Sequence, residues 1–181
     1  MSNSIANEKN VEELAKKLGK RIPEIANATN GNSNGGWTNA VRRCFGKIAE
    51  EEKWKRYPEG ETKAGEFLLD FVLWQVGYGP RVVCESEWLT HYSSETKDIE
   101  WDFDKLRMVK GDIKVMIYEW PEDDGRLEEA LKGYLKDIQL LSTEEAFLFL
   151  NFDHGKPSAH WWQPEKSGRQ DEIVFKRINL D

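Results

Sequence analysis

Residues 66–75 read EFLLDFVLWQ and residues 81–88 read RVVCESEW. The first stretch is apolar on both alternating sides, the pattern of a strand covered on each face. The second reads as the next strand, and Gly77, Gly79 and Pro80 between them mark a turn, so the two are expected to pair as a hairpin. Asp70 breaks the apolar run, and a lone buried carboxylate is costly unless a cation compensates it. On the second strand Glu85 and Glu87 share one face, because alternate residues of a pleated strand point the same way, while Cys84 and Ser86 point to the other.

Working outward, Thr38 is placed to cap a helix running to about Glu52, with Val41, Cys44, Phe45, Ile48 and Ala49 as its apolar stripe. The segment Tyr57-Pro58-Glu59-Gly60 reads as a turn. On the C-terminal side a short helix is expected over Trp101–Lys110, a strand over Ile113–Trp120, and a helix bearing Leu127, Leu131, Tyr134, Leu135 and Ile138. Further strands follow at Ala146–Phe152, Ala159–Gln163 and Ile173–Lys176. A hairpin combined with crossover helices implies a mixed central sheet flanked by helices, an α/β class with α+β as the neighbouring description.

Toward the N-terminus, Val11, Leu14 and Leu18 sit at helical spacing, and Pro23 is expected to interrupt or restart that helix. The stretch 27–36 (NATNGNSNGG) reads as a flexible connector. Residues 1–36 are therefore an N-terminal helical segment with its connector, and residues 37–181 one α/β domain.

Composition narrows the functional classes. The chain has 181 residues, 39% of them hydrophobic, with eight Trp and eight Phe, which suits a packed core and excludes a disordered composition. The longest apolar run, near Phe67–Trp74, falls far below the ~20 residues needed to cross a bilayer. Residues 1–10 are polar and lack the features of a secretory signal, so a cytoplasmic location and no membrane partner are expected. Cys44 and Cys84 form no CxxC pair and read as small buried residues; His91, His154 and His160 are scattered without a zinc-hydrolase spacing. No G-x-S-x-G elbow or nucleotide-binding glycine motif is present. Trp161-Trp162 reads as core and interface before base-stacking platform.

Three carboxylates, Asp70, Glu85 and Glu87, drawn from neighbouring strands would suit a hard divalent ion, Mg²⁺ with Mn²⁺ as the alternative, and Lys105 would add a fixed positive charge. The same acids could equally be structural partners of Arg81, Lys105 or Arg107. The net charge of −7 opposes nucleic-acid binding, yet residues 1–65 hold twelve Lys/Arg against nine Asp/Glu. Arg42, Arg43 and Lys47 are candidate phosphate contacts there, or one solvated helix face.

The order helix, strand with Asp, strand with Glu-x-Glu, helix, strand resembles the PD-(D/E)XK, or restriction-endonuclease-like, nuclease superfamily. That family has an α–β–β–β–α–β core and an Asp followed on the next strand by acid-x-Lys. The resemblance covers roughly Trp37–Trp120 and departs from the pattern at Glu87, which stands where the family has lysine. Lys105 in Trp101-Asp102-Phe103-Asp104-Lys105-Leu106 is the candidate for a relocated lysine. Glu66 is a further candidate acid on the Asp70 face, and Glu50 or Glu51 a candidate for the family's helix-borne acid.

The resemblance implies metal-dependent hydrolysis of nucleic-acid phosphodiesters, with Asp70, Glu85 and Glu87 as metal ligands and Lys105 as the charge stabiliser. DNA ranks ahead of RNA as substrate, and a homodimer is an open arrangement. The alternative is an endonuclease-like fold without catalysis that serves as a protein-binding or immunity-like module.

Overall fold

A computed structural model describes residues 4–28, 34–58, 69–88, 96–121, 125–136, 144–164 and 173–181. Helices α1 (Glu8–Ala28) and α2 (Asn34–Glu52) lead into strands β1 (Lys55–Tyr57), β2 (Phe71–Gln75) and β3 (Gly79–Glu87). There follow α3 (Lys97–Met108), β4 (Ile113–Tyr118), α4 (Arg126–Lys136), β5 (Ala146–Asp153), β6 (Lys156–Trp162) and β7 (Lys176–Ile178).

The strands form one mixed sheet in chain order, β1 through β7. β2 and β3 pair antiparallel across a turn in which Gly77 and Gly79 hold φ of 85° and 107°, a conformation that favours glycine. β3, β4 and β5 are parallel, and α3 and α4 make their crossovers. Such central strands are buried on both faces, which is why IKVMIY and AFLFLNF read as nearly unbroken apolar runs. The mixed α/β sheet expected from the sequence is therefore present.

The pleat divides the core. Val82, Cys84, Val115 and Leu148 face α1 and α2, whereas Val83, Met116, Phe147 and Phe149 face α3 and α4. Trp161 joins the first layer and Trp162 the second, so both rings of that pair are buried and neither is an interface.

Four expectations need correction. α1 runs through Pro23 without a break, because Ile22 and Ala26 on either side are buried and offset the loss of one backbone bond. α1 is also no accessory: Val11, Leu14, Leu18 and Ile22 share their core with the sheet, and the boundary drawn after Gly36 falls inside α2. β1 was hidden because three residues beside Pro58 leave too short a pattern. The described part of the first quoted strand begins at Phe71; Glu66, Phe67 and Leu68 lie outside the described residues. No helix among the described residues is long and apolar enough to cross a membrane.

Candidate functional site: an acid cluster at the C-terminal end of β3

The antiparallel register ends with Phe71 opposite Cys84, and Asp70, in the bend just before β2, lies near enough to Glu85 for its charge to raise the Glu85 pKa. Asp70 Oδ2 accepts hydrogen bonds from the Ser86 backbone N–H and from the Ser86 hydroxyl, both at 2.9 Å. The carboxylate that interrupts the apolar run is thus pinned at the mouth of the hairpin.

α3 crosses the same end of β3. It buries Ile99, Phe103 and Leu106, and this orientation sets Asp102 and Lys105, one turn apart, over Glu85. Lys105 Nζ lies 2.6 Å from Asp102 Oδ1 and 3.0 Å from Glu85 Oε1. Glu85 is 1% exposed, so its pairing with Lys105 lies out of water.

Four carboxyl groups, Asp70, Glu85, Glu87 and Asp102, therefore gather against one amine, and their protonation reflects the excess. Burial first, then the Asp70 charge, pushes Glu85 up to about 8, with Lys105 opposing. Glu87 is pushed up to about 7 by burial and by the charge and hydrogen bond of Asp102. Asp102 is raised by burial and by Asp70, against the pull of Lys105. Burial disfavours the charge on Lys105, but hydrogen bonds to Asp102 and Glu85 outweigh it and its pKa is raised. The arrangement is short of positive charge.

The sequence-derived candidates divide sharply. Asp70, Glu85, Glu87 and Lys105 are brought together at this one end of the sheet. The triple metal set of Asp70, Glu85 and Glu87 is not assembled, because Glu87 meets Asp102; among the described residues no group of three or more His, Cys, Asp or Glu is arranged to hold a metal. Arg42, Arg43 and Lys47 lie on α2, across the sheet from Glu85, and Arg42 bonds Asn39. Glu50 and Glu51 end α2 near β1, where Glu51 is held by Arg21 at 2.8 Å and Lys17 at 3.6 Å; neither joins the cluster. Glu66 lies outside the described residues. Cys44 and Cys84 are buried as expected, and burial raises both thiols, Cys44 to about 12.

Asp102 is the member that sequence reading missed. The acids Asp98, Asp102 and Asp104 fit the positive end of a helix, which masks the three-residue spacing from Asp102 to Lys105 that would have set them on one helix face.

No known family and no curated protein matches this chain. The chemistry must accordingly be argued from the site. Mg²⁺ commonly binds through one or two carboxylates and keeps its remaining waters. Asp70 and Glu85, near enough for the charge of one to raise the pKa of the other, have the donor chemistry for that mode.

Proposed function

We propose that the protein is a metal-dependent nuclease that hydrolyses phosphodiester bonds of nucleic acid. The observation that carries the reading is the meeting of Asp70 and Glu85 at one end of the hairpin, with Lys105 3.0 Å from the Glu85 oxygen. The element order α2–β1–β2–β3–α3–β4 supports it, since it repeats the α–β–β–β–α–β order of the restriction-endonuclease-like superfamily once β1 is counted.

In this reading Asp70 and Glu85 hold Mg²⁺ or Mn²⁺, which when bound supplies Lewis acidity toward the scissile phosphate and acidifies a water. Lys105 donates to a non-bridging phosphate oxygen and offsets charge developing there. Asp102 keeps the Lys105 amine charged and aimed. A Glu87 carboxylate oxygen, with its pKa near 7, accepts the proton of the attacking water as the new bond to phosphorus forms and the bond to the leaving oxygen breaks, and solvent water protonates that departing oxygen.

The test is incubation with labelled DNA and RNA, single-stranded and duplex, in Mg²⁺ and in EDTA. Cleavage that requires the metal and is lost in Asp70→Ala is expected; cleavage that persists in that variant, or none from the native chain, ends the reading. The saturation of Asp102 and Glu85 by Lys105 favours a second reading, a non-catalytic binding module. Metal bound only by the folded state raises the melting temperature, so a flat response to both ions selects the module.

A further inference from the structure

A cavity of about 380 Å³ opens at the β1–β2 edge of the sheet, lined by Lys55, Tyr57, Val72, Trp74, Val83 and Lys110 among others. That volume lies within the roughly 300–1,000 Å³ of small-ligand pockets. Val72 and Val83 form part of its floor, Glu85 is the next residue on the Val83 face of β3, and Leu69, beside Asp70, also lines the cavity. Two residues along a strand span about 7 Å, so the cavity adjoins the acid cluster along one groove beside α3.

The walls suit a flat ring carrying a phosphate. Trp74 is 44% exposed and Tyr57 40% exposed, a large aromatic surface to leave in water. Lys55 pairs with Trp74 and Tyr57 with Val72, which makes Tyr57 and Trp74 diagonal neighbours on one face. Aromatic side chains at diagonal positions are within reach of one another, so both rings border the same part of the cavity. Lys55 and Lys110, both exposed, put positive charge at the rim, while Arg56 points across the sheet toward Gly46.

We infer that this cavity is a stacking subsite for one unpaired nucleobase of the nucleic-acid strand, held by Trp74 and Tyr57 with Lys55 and Lys110 on its phosphates. The inference rests on the nuclease reading for its ligand and deepens it, because a base seated here lays the backbone of its strand over Asp70 and Glu85. The substrate it selects is a single strand, an overhang or a frayed end rather than the interior of a paired duplex.

Binding of labelled oligothymidylate and of a blunt duplex, followed by anisotropy in EDTA and again in Ca²⁺, tests it in the full-length protein. Trp74→Ala is expected to weaken single-strand binding about 5- to 150-fold, the range that stacking of one base supplies, and to leave duplex binding unchanged. Trp74→Phe should recover most of the loss, and Lys55→Ala should lower the salt dependence of binding where Trp74→Ala does not. Equal single-strand affinity in Trp74→Ala and the native chain, or no single-strand binding in either buffer, overturns the subsite. A chain that binds through Trp74 yet cuts nothing keeps the subsite and loses the nuclease reading; one that cuts with no dependence of binding on Trp74 does the reverse.

Discussion

The two ends of β3 both carry charge out of water and treat it in opposite ways. At the N-terminal end Arg81 gives Nη1 to Asp112 at 2.6 Å and Nε to Gln75 at 2.6 Å, and its guanidinium lies 4.6 Å from the Tyr78 ring centre. Asp112 in turn accepts the backbone N–H of Ile5. One cation meets one anion there, and their polar atoms are shared with neutral partners. At the C-terminal end four carboxyls gather near a single lysine, which pairs with Glu85 and Asp102, and Glu85, Glu87 and Asp102 all hold their protons more tightly than ordinary carboxyls. A matched pair ties elements together; the under-compensated cluster is the one on which the nuclease proposal rests. Perturbed acids cluster at functional sites, which is why the proposal is placed at this end.

The comparison can be broken most severely by removing Asp70. Asp70→Ala is expected to reduce metal-dependent cleavage to background while the far-ultraviolet circular dichroism stays native, and a variant that still cuts would make the acid cluster another structural pair. At the opposite end Arg81→Leu should cost about 3 kcal/mol in urea unfolding, since it strands Asp112 in a largely buried position. Cleavage per folded molecule should be untouched by that change; a loss of activity there would erase the division between the ends.

Acidity sharpens the contrast next. Glu85 holds a proton in the folded state up to about pH 8, whereas in the unfolded chain it releases it near 4.5. The folded state therefore binds more protons across that window, so its stability is fullest below pH 4.5 and declines as the pH rises through 8. Glu87 acts in the same direction up to about pH 7. Urea titrations should find the protein weaker at alkaline than at mildly acidic pH by on the order of 2 kcal/mol. Glu85→Gln should flatten the upper part of that slope, and an unchanged slope would mean that Glu85 is not the buried acid described. The smallest effect is expected from Ser86→Ala, about 1 kcal/mol, since it removes the hydroxyl donor to Asp70 and leaves the backbone donor in place.

Much of this was readable before any coordinates. The alternation that points Glu85 and Glu87 one way follows from the period of a strand, and the Gly77–Gly79 turn made the hairpin that carries Asp70 to Glu85. Lys105 was found because helix α3 had to follow β3. What the residues did not disclose was long-range choice. Glu50, Glu51, Arg42 and Lys47 had suitable chemistry, but which face α2 covers is decided by packing against α1 and Phe71, and it carries them away from the acids. Asp102 was missed because a helix-end acid and a site acid look alike in one dimension. Pro23 misled because a local penalty of ~3 kcal/mol is small beside the tertiary burial of the helix around it.

The strictly sequential strand order has a consequence for assembly on the ribosome. Each strand pairs with the one made just before it, so the sheet can lengthen as it emerges, with little chain to wait for at any step. α1 is the exception. It packs against β5 and β6, Gly19 touches Leu180, and Gln163 bonds the carbonyl of Ala6. α1 can pack on α2 as soon as both are made, but the rest of its apolar stripe stays open until β5 and β6 arrive, so the far half of the sheet is what closes that side of the core.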